Sequence, residues 1–259
     1  MWRDLSASRE LAWRLTVRDL SAQYRQTIIG FLWAIILPLA NTLIWIFLSR
    51  SGVVKVSGTP LPYPVYVFTG TMLWAILMDA LNAPIQKITA SKSMLVKISF
   101  PREALVLAGI YQTIVNALIK VALLLIALLT MGINPGWSAL LFPIGLFSLV
   151  LVGTVIGLAI TPVGLLYTDV GKAIPLLMQF LMYITPVVFA MPKEGLSATL
   201  FQVNPLTPLI LTARDWLTGF TPTYLGYFVG VNVFAIILLS IFWVVFRLAM
   251  PILIERMGS

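Results

Sequence analysis

The sequence predicts an all-α integral membrane protein, and three observations carry that prediction. Of 259 residues 60% are hydrophobic and only 10% are charged, where a soluble domain carries roughly a quarter charged residues. Mean hydropathy is +1.00, and several uninterrupted apolar runs reach about 20 residues, the length a helix needs to cross the hydrocarbon. The 17 Lys and Arg cluster in alternate connecting segments, the asymmetry that orients membrane helices. Cysteine and histidine are both absent, which excludes disulfides, thiolate and imidazole chemistry and Cys/His metal sites. No repeat period and no Gly/Ser- or Pro-rich linker divides the chain, so a single domain over 1–259 is expected.

The charged segment 1–27 comes first. It is too charged for a signal-peptide n-region, and no processing is expected. In it Trp13, Val17, Leu20 and Tyr24 recur at helical spacing beside a stripe of Arg14, Arg18 and Arg25. That pattern suits an interfacial helix, with aromatic side chains at headgroup depth and guanidinium groups on phosphates or acidic protein surface. A plain positive-inside anchor is the alternative. Spans follow at Ile28–Leu48 and Tyr63–Ala83. The loop 84–103 carries Lys87, Lys92, Lys97 and Arg102 together with Ile85, Ile88 and Leu95. Those three apolar residues can share a helical face, whereas lysines spaced by fives cannot, so the loop is amphipathic only in part. Pro101 stops a helix near Phe100 and opens the next one, whose first turn holds Glu103 at the positive end of the helix dipole.

The third span, Ala104–Met131, carries a polar stripe of Gln112, Asn116 and Lys120 at i, i+4 and i+8. Counted from the cytoplasmic boundary, Lys120 stands about 24 Å up and Asp79 of the second span about 6 Å. The two are expected not to meet. Lys120 is expected to snorkel to the outer interface, so that Lys120→Met is tolerated; a phosphate or sugar contact in the pathway is the alternative. The fourth span, Trp137–Leu166, contains Gly153 and Gly157, expected to serve internal packing. The fifth, Ala173–Phe189, is followed by the long stretch 190–226, whose apolar piece "PLTPLILTARDWL" is too short to cross and fits a re-entrant or interfacial helix. A lid resting on the bundle is the alternative. The sixth span is Tyr227–Leu248.

With both termini inside, twelve cations (Arg3, Arg9, Arg14, Arg18, Arg25, Lys87, Lys92, Lys97, Arg102, Lys172, Arg247, Arg256) lie in cytoplasmic segments against four outside (Arg50, Lys55, Lys193, Arg214), which selects that orientation. No G-x-x-x-x-G-K-[ST] occurs, Gly171-Lys172 being followed by Ala173, so energy is expected from another chain.

Four passages in order, "RDLSAQYRQTIIGFLWAIILPLA" (Arg18 to Ala40), "LVKISFPREAL" (Leu95 to Leu105), "LLYTDVGKAIPLLMQFLMYITPVVFAMP" (Leu165 to Pro192) and "NPLTPLILTARDWL" (Asn204 to Leu217), resemble the membrane subunits of type-2 ATP-binding-cassette exporters, in particular the branch that moves O-antigen, teichoic acid or capsular polysaccharide. The resemblance implies six spans, a homodimer in the bacterial cytoplasmic (inner) membrane, two separate ATPase subunits, and a lipid-linked polysaccharide passing between the protomers. No cofactor is implied in this chain, ATP and Mg being held by the partner, and no nucleic acid is involved. Residues 84–103 then resemble the coupling helix that docks on the ATPase, through Lys87, Ile88, Lys92, Leu95, Lys97, Phe100, Arg102 and Glu103. Trp13, Arg14, Arg18, Tyr24 and Arg25 resemble its interfacial neighbour. Asn204, Pro205, Pro208, Arg214 and Trp216 fall in the external gate.

Aromatic faces suit a sliding glycan because sugar rings stack on them without a fixed register. Trp33, Tyr63, Tyr66, Trp74 and Tyr183 are candidates by position, interface anchoring being the alternative for each. Competing readings are the same architecture moving a drug or lipid, a membrane glycosyl or prenyl transferase, and a passive scaffold. The transferase needs clustered acids, whereas Asp79, Asp169 and Asp215 are isolated in sequence.

Overall fold

Each apolar run closes its backbone hydrogen bonds within itself, the solution that lipid imposes on a spanning segment, and among the described residues there is no strand. The computed structural model describes residues 2–25, 33–52, 58–97, 101–192 and 194–258. Its helices are α1 (Trp2–Arg25), α2 (Trp33–Arg50), α3 (Tyr63–Ala90), α4 (Lys92–Lys97), α5 (Glu103–Thr130), α6 (Phe142–Leu166), α7 (Thr168–Tyr183), α8 (Gly195–Val203), α9 (Leu206–Thr218) and α10 (Leu225–Gly258), with a 3-10 turn at Trp137–Leu141 leading into α6. Four stretches are long and apolar enough to cross a membrane: Tyr63–Ala90, Glu103–Thr130, Trp137–Leu166 and Leu225–Glu255. The chain is thus a multi-pass helical membrane protein. The described part of the first expected span, α2, has 18 residues, and α7, in place of the fifth, has 16.

α3 is the central pillar, packed against α6, α5, α2 and α9 and buried along most of its length. Close approach of α6 depends on its glycines. A Cβ added at Gly153 would come within 2.6 Å of Ala80 and the Leu77 carbonyl, and one at Gly157 within 2.3 Å of the Leu81 carbonyl. The expected internal packing of this pair is borne out, and the backbones meet because neither residue has a side chain.

Element ends differ from the sequence reading in two informative places. α3 was expected to stop at Ala83, before Pro84. It runs on to Ala90, carrying Pro84 inside the helix, with that ring packed towards Gly157; one lost donor is tolerable where neighbouring helices hold both sides. α7 was expected to continue to Phe189, but ends at Tyr183 and gives way to turns over 184–188, where Pro186 denies the helix a donor.

A second apolar cluster gathers the opposite ends of the chain. Ala12 and Leu15 of α1, Leu95 of α4, Leu105 of α5, and Phe246 and Leu253 of α10 are all buried together. The short α4 is thereby seated against α10 and α3, a fold that six residues could not hold by helix propensity alone.

Candidate functional site

The loop read as a docking element has two sides. Ile88 and Leu95 are buried in the second cluster, and Lys87, only 8% exposed, donates from Nζ to Asp19 Oδ2 of α1 at 2.6 Å. These three residues hold the segment to the bundle. Lys92 is exposed, as are Thr89 and Ala90. Arg102 is half-buried, and Glu103 accepts an ion pair from Arg247 of α10 at 3.3 Å. Phe100 lies outside the described residues, as does the side chain of Lys97.

On α1 the sequence picked out the outward face. Trp13 is exposed and sits edge-on to Tyr111 at 6.4 Å between ring centroids, Arg14 pairs with Glu10, and Arg18 pairs with Asp19. The face that binds α5 is a stripe of small residues, Ser8, Ala12 and Thr16, with Leu15 buried beside it and the Thr16 hydroxyl donating to the Ala108 carbonyl at 3.2 Å. The side chains of Tyr24 and Arg25 lie outside the described residues. Asp19 joins both lines of contact: burial pushes its pKa up, but hydrogen bonds from Lys87 and Arg18 and their positive charges outweigh that, and the carboxyl sits below its ordinary value.

The expectation for Lys120 is overturned. Its Nζ donates to Asp79 Oδ2 at 2.5 Å, and the lysine side chain is only 12% exposed. Two physical reasons explain the miss. α3 ends seven residues later than expected (90 − 83), which lifts Asp79 to about 16 Å from the helix end. In addition, side chains lean towards the N-terminus of their own helix; α3 and α5 run antiparallel, so Lys120 and Asp79 lean towards one another. Below the pair lies a cavity of about 120 Å³ between α3 and α5, lined by Asp79, Asn82, Gln86 and Lys87 on one side and by Gln112, Thr113 and Asn116 on the other. The α3 half of this seam was missed, although Asp79, Asn82 and Gln86 stand at i, i+3 and i+7, the spacing of a helical face.

The residues expected in an external gate form contacts within the bundle. Arg214 is 1% exposed. Its Nη1 donates to the Pro186 carbonyl at 2.7 Å and its Nη2 to the Val187 carbonyl at 2.9 Å, while the guanidinium lies 3.8 Å over the Tyr66 ring. Carbonyl dipoles at the unwound end of α7 and an aromatic face thus replace water around the charge. Gly70 makes room, since a Cβ there would lie 2.1 Å from the Val187 carbonyl. Asn204 donates to the Ile184 carbonyl and the Thr185 hydroxyl and accepts from the Leu206 N–H, which ties the α8–α9 corner to the same turn. Pro208 and Trp216 are buried and Pro205 is exposed. α9 therefore inserts among α3, α6 and α10 and does not merely rest on them as a lid.

The candidate aromatics divide. Trp33 and Tyr183 are exposed and Tyr63 is half-buried. Tyr66 and Trp74 are 1% and 6% exposed, with the Tyr66 hydroxyl against the Pro186 and Phe189 carbonyls. Those two belong to the interior of one chain, a correction to their expected place on a channel wall; period alone could not separate the packed side of so apolar a helix from its free side.

No family model matches the chain. It is 25% identical over 239 residues to the O-antigen export system permease protein RfbA of Klebsiella pneumoniae, covering 88% of this chain and 89% of that protein. Identity is also 25% over 215 residues to the protein of the same name from Myxococcus xanthus, with 80% of each covered. The polysialic acid transport protein KpsM of Escherichia coli is 24% identical over 229 residues, with 85% of each covered. The resemblance read from the sequence, to the permeases of polysaccharide exporters, is borne out over four fifths or more of the chain.

Proposed function

We propose that this chain is the transmembrane subunit of an ATP-driven exporter that moves a lipid-linked polysaccharide across the bacterial cytoplasmic membrane. Two copies form the path between them, each crossing six times with both termini in the cytoplasm, and α2 and α7 complete the set begun by the four long helices. Two separate ATPase subunits dock against α4 and the exposed residues around it. The bond chemistry of ATP hydrolysis stays with them, and ATP and Mg bind there.

The observation that carries this reading is the similarity to O-antigen and polysialic acid permeases along most of the chain. Support comes from α4, a six-residue helix that keeps Leu95 in the bundle and Lys92 in solvent, the arrangement a small lever needs. α8 and α9 form the external gate segment, and Trp33 and Tyr183 remain the aromatics able to meet a glycan outside a single chain.

Deleting the gene should strip surface polysaccharide and build up its lipid-linked precursor in the cytoplasmic leaflet. Raised drug sensitivity with surface glycan intact would instead favour a drug or lipid cargo. Co-purified with its ATPase, Lys92→Glu should lose most of the transport-coupled turnover while the permease itself stays as heat-stable as before; unchanged association and turnover would remove α4 from the docking role.

A further inference from the structure

We infer that the polar cavity between α3 and α5 is a binding site for a neutral, polyhydroxylated ligand, a sugar unit of the glycan. The inference rests on the proposed function for the identity of the glycan, but the site is chosen by its chemistry. Ionisable and amide side chains within spans are costly and ordinarily face a bundle interior, a water-filled space or a substrate. Here they line a volume of about 120 Å³, room for about four water molecules at about 30 Å³ each and of the order of a single sugar ring.

The charges exclude other occupants. The charged residues of the wall itself are Asp79 and Lys87, one of each sign and each paired with a group outside the lining, so the wall offers no net positive charge to a phosphate group. A metal cation needs several carboxylate or carbonyl oxygens. Asp79 Oδ2 is already held by Lys120, and Asp19 gives Oδ1 to Arg18 and Oδ2 to Lys87. An acyl chain gains nothing from a wall of Asn82, Gln86 and Asn116. These amides each bring an acceptor and two donors, and Asn82, which spends one N–H on the Met78 carbonyl, keeps one donor and its acceptor. A mixed donor and acceptor wall without net charge matches the hydroxyls of a sugar.

The chain has no cysteine, which permits a direct test. Asn82→Cys, Gln86→Cys and Asn116→Cys, each as a single cysteine, are introduced in a deletion strain and labelled in inverted membrane vesicles with a water-soluble methanethiosulfonate. The probe is the polysaccharide the host itself makes, compared with an isogenic strain blocked at its first sugar transfer. Glu10→Cys, at an exposed position of the cytoplasmic helix α1 away from the cavity, is the control. In the blocked strain the cavity cysteines should label. In the producing strain their rates should fall about fivefold, the protection expected when a ligand fills about four sites in five, with Glu10→Cys unchanged. Equal labelling in both strains would make the cavity a water crevice only, and no labelling in either would make it sealed; both overturn the site. Protection by added sodium chloride or pyrophosphate in the blocked strain would overturn the neutral-sugar assignment. If the deletion leaves surface glycan intact, the proposed function itself fails, an outcome read separately from the labelling.

Discussion

Removing Lys120 should destabilise the protein, contrary to what its place in the sequence suggests. The pair closes at 2.5 Å with Lys120 12% and Asp79 35% exposed. Two unit charges about 4 Å apart attract by about 4 kcal/mol at an effective dielectric of 20, and desolvation offsets much of that. What a single substitution exposes is the orphaned partner: breaking a fully buried pair costs about 3–5 kcal/mol, and the partial exposure of Asp79 lowers this to about 2–3 kcal/mol. For a chain of this size each kcal/mol lowers the melting temperature by about 2–4 °C. Lys120→Met and Asp79→Asn should therefore each lose about 5–10 °C in apparent Tm, measured by size-exclusion thermostability in one detergent at one scan rate. The double variant should recover at least half of the loss, because the cycle isolates the pairwise interaction. A Lys120→Met protein as stable as the parent, or a double variant whose losses simply add, would refute the pairing.

Three further outcomes follow from the contacts. Arg214→Ala removes the donor for two buried carbonyls and the cation over Tyr66, and should lower apparent Tm by about 6–20 °C, as expected of about 3–5 kcal/mol for a broken buried charge network; Arg214→Lys should recover only part, since an ammonium cannot fork to both carbonyls. Asp19 has its pKa lowered in the folded state, so its contribution is present above the ordinary carboxylate value and lost as pH falls through the lowered one. Asp19→Asn should be less stable than the parent at pH 7, and the gap should close below about pH 4 in a pH series of thermal scans. Gly157→Val drives a branched side chain into the Leu81 carbonyl and should cut the folded yield in membranes severely, whereas Gly58→Ala, with open space around it but a left-handed backbone, should cost about 1 kcal/mol.

The helical class, the position of α4 and the small-residue contact of α6 were legible because each is written in one dimension, as a run length, a proline or a four-residue spacing. The seam was half legible. Gln112, Asn116 and Lys120 announced a polar stripe, but the partner stripe on α3 goes unread when the span is ended at Ala83, and depth counted along single helices ignores how side chains lean in an antiparallel pair. Arg214 looked like an external cation because the sequence displays its charge but not the Pro186 and Val187 carbonyls that enclose it. Two of the five aromatic candidates, Tyr66 and Trp74, fell inside for a related reason: α3 is apolar nearly all round, so nothing in its periodicity distinguishes Tyr66, sealed in the bundle, from an aromatic free to meet a glycan.

The ties of α3 differ in kind, and that difference bears on how movement at α4 would travel. Tyr66 and Gly70 hold the end nearest α9, Asp79 holds α5, and Lys87 holds α1, at intervals of about 20 and 12 Å along the helix. A close-packed helix transmits displacement instead of absorbing it, so a push on α4 that shifts α3 must be accommodated at one of these levels. Around Arg214 both carbonyls and the ring are committed, and a shift would strand a buried charge. The Lys87 pair also borders the cavity, but both oxygens of Asp19 are committed, to Lys87 and Arg18. At Asp79 the carboxylate is the more exposed of the two, 35% against 24%, and faces the polar volume, where water or a hydroxyl group can take up whatever contact the lysine gives up. The α3–α5 seam is therefore the level at which the bundle can slide at least cost, and its occupant is the group whose binding would respond to that sliding.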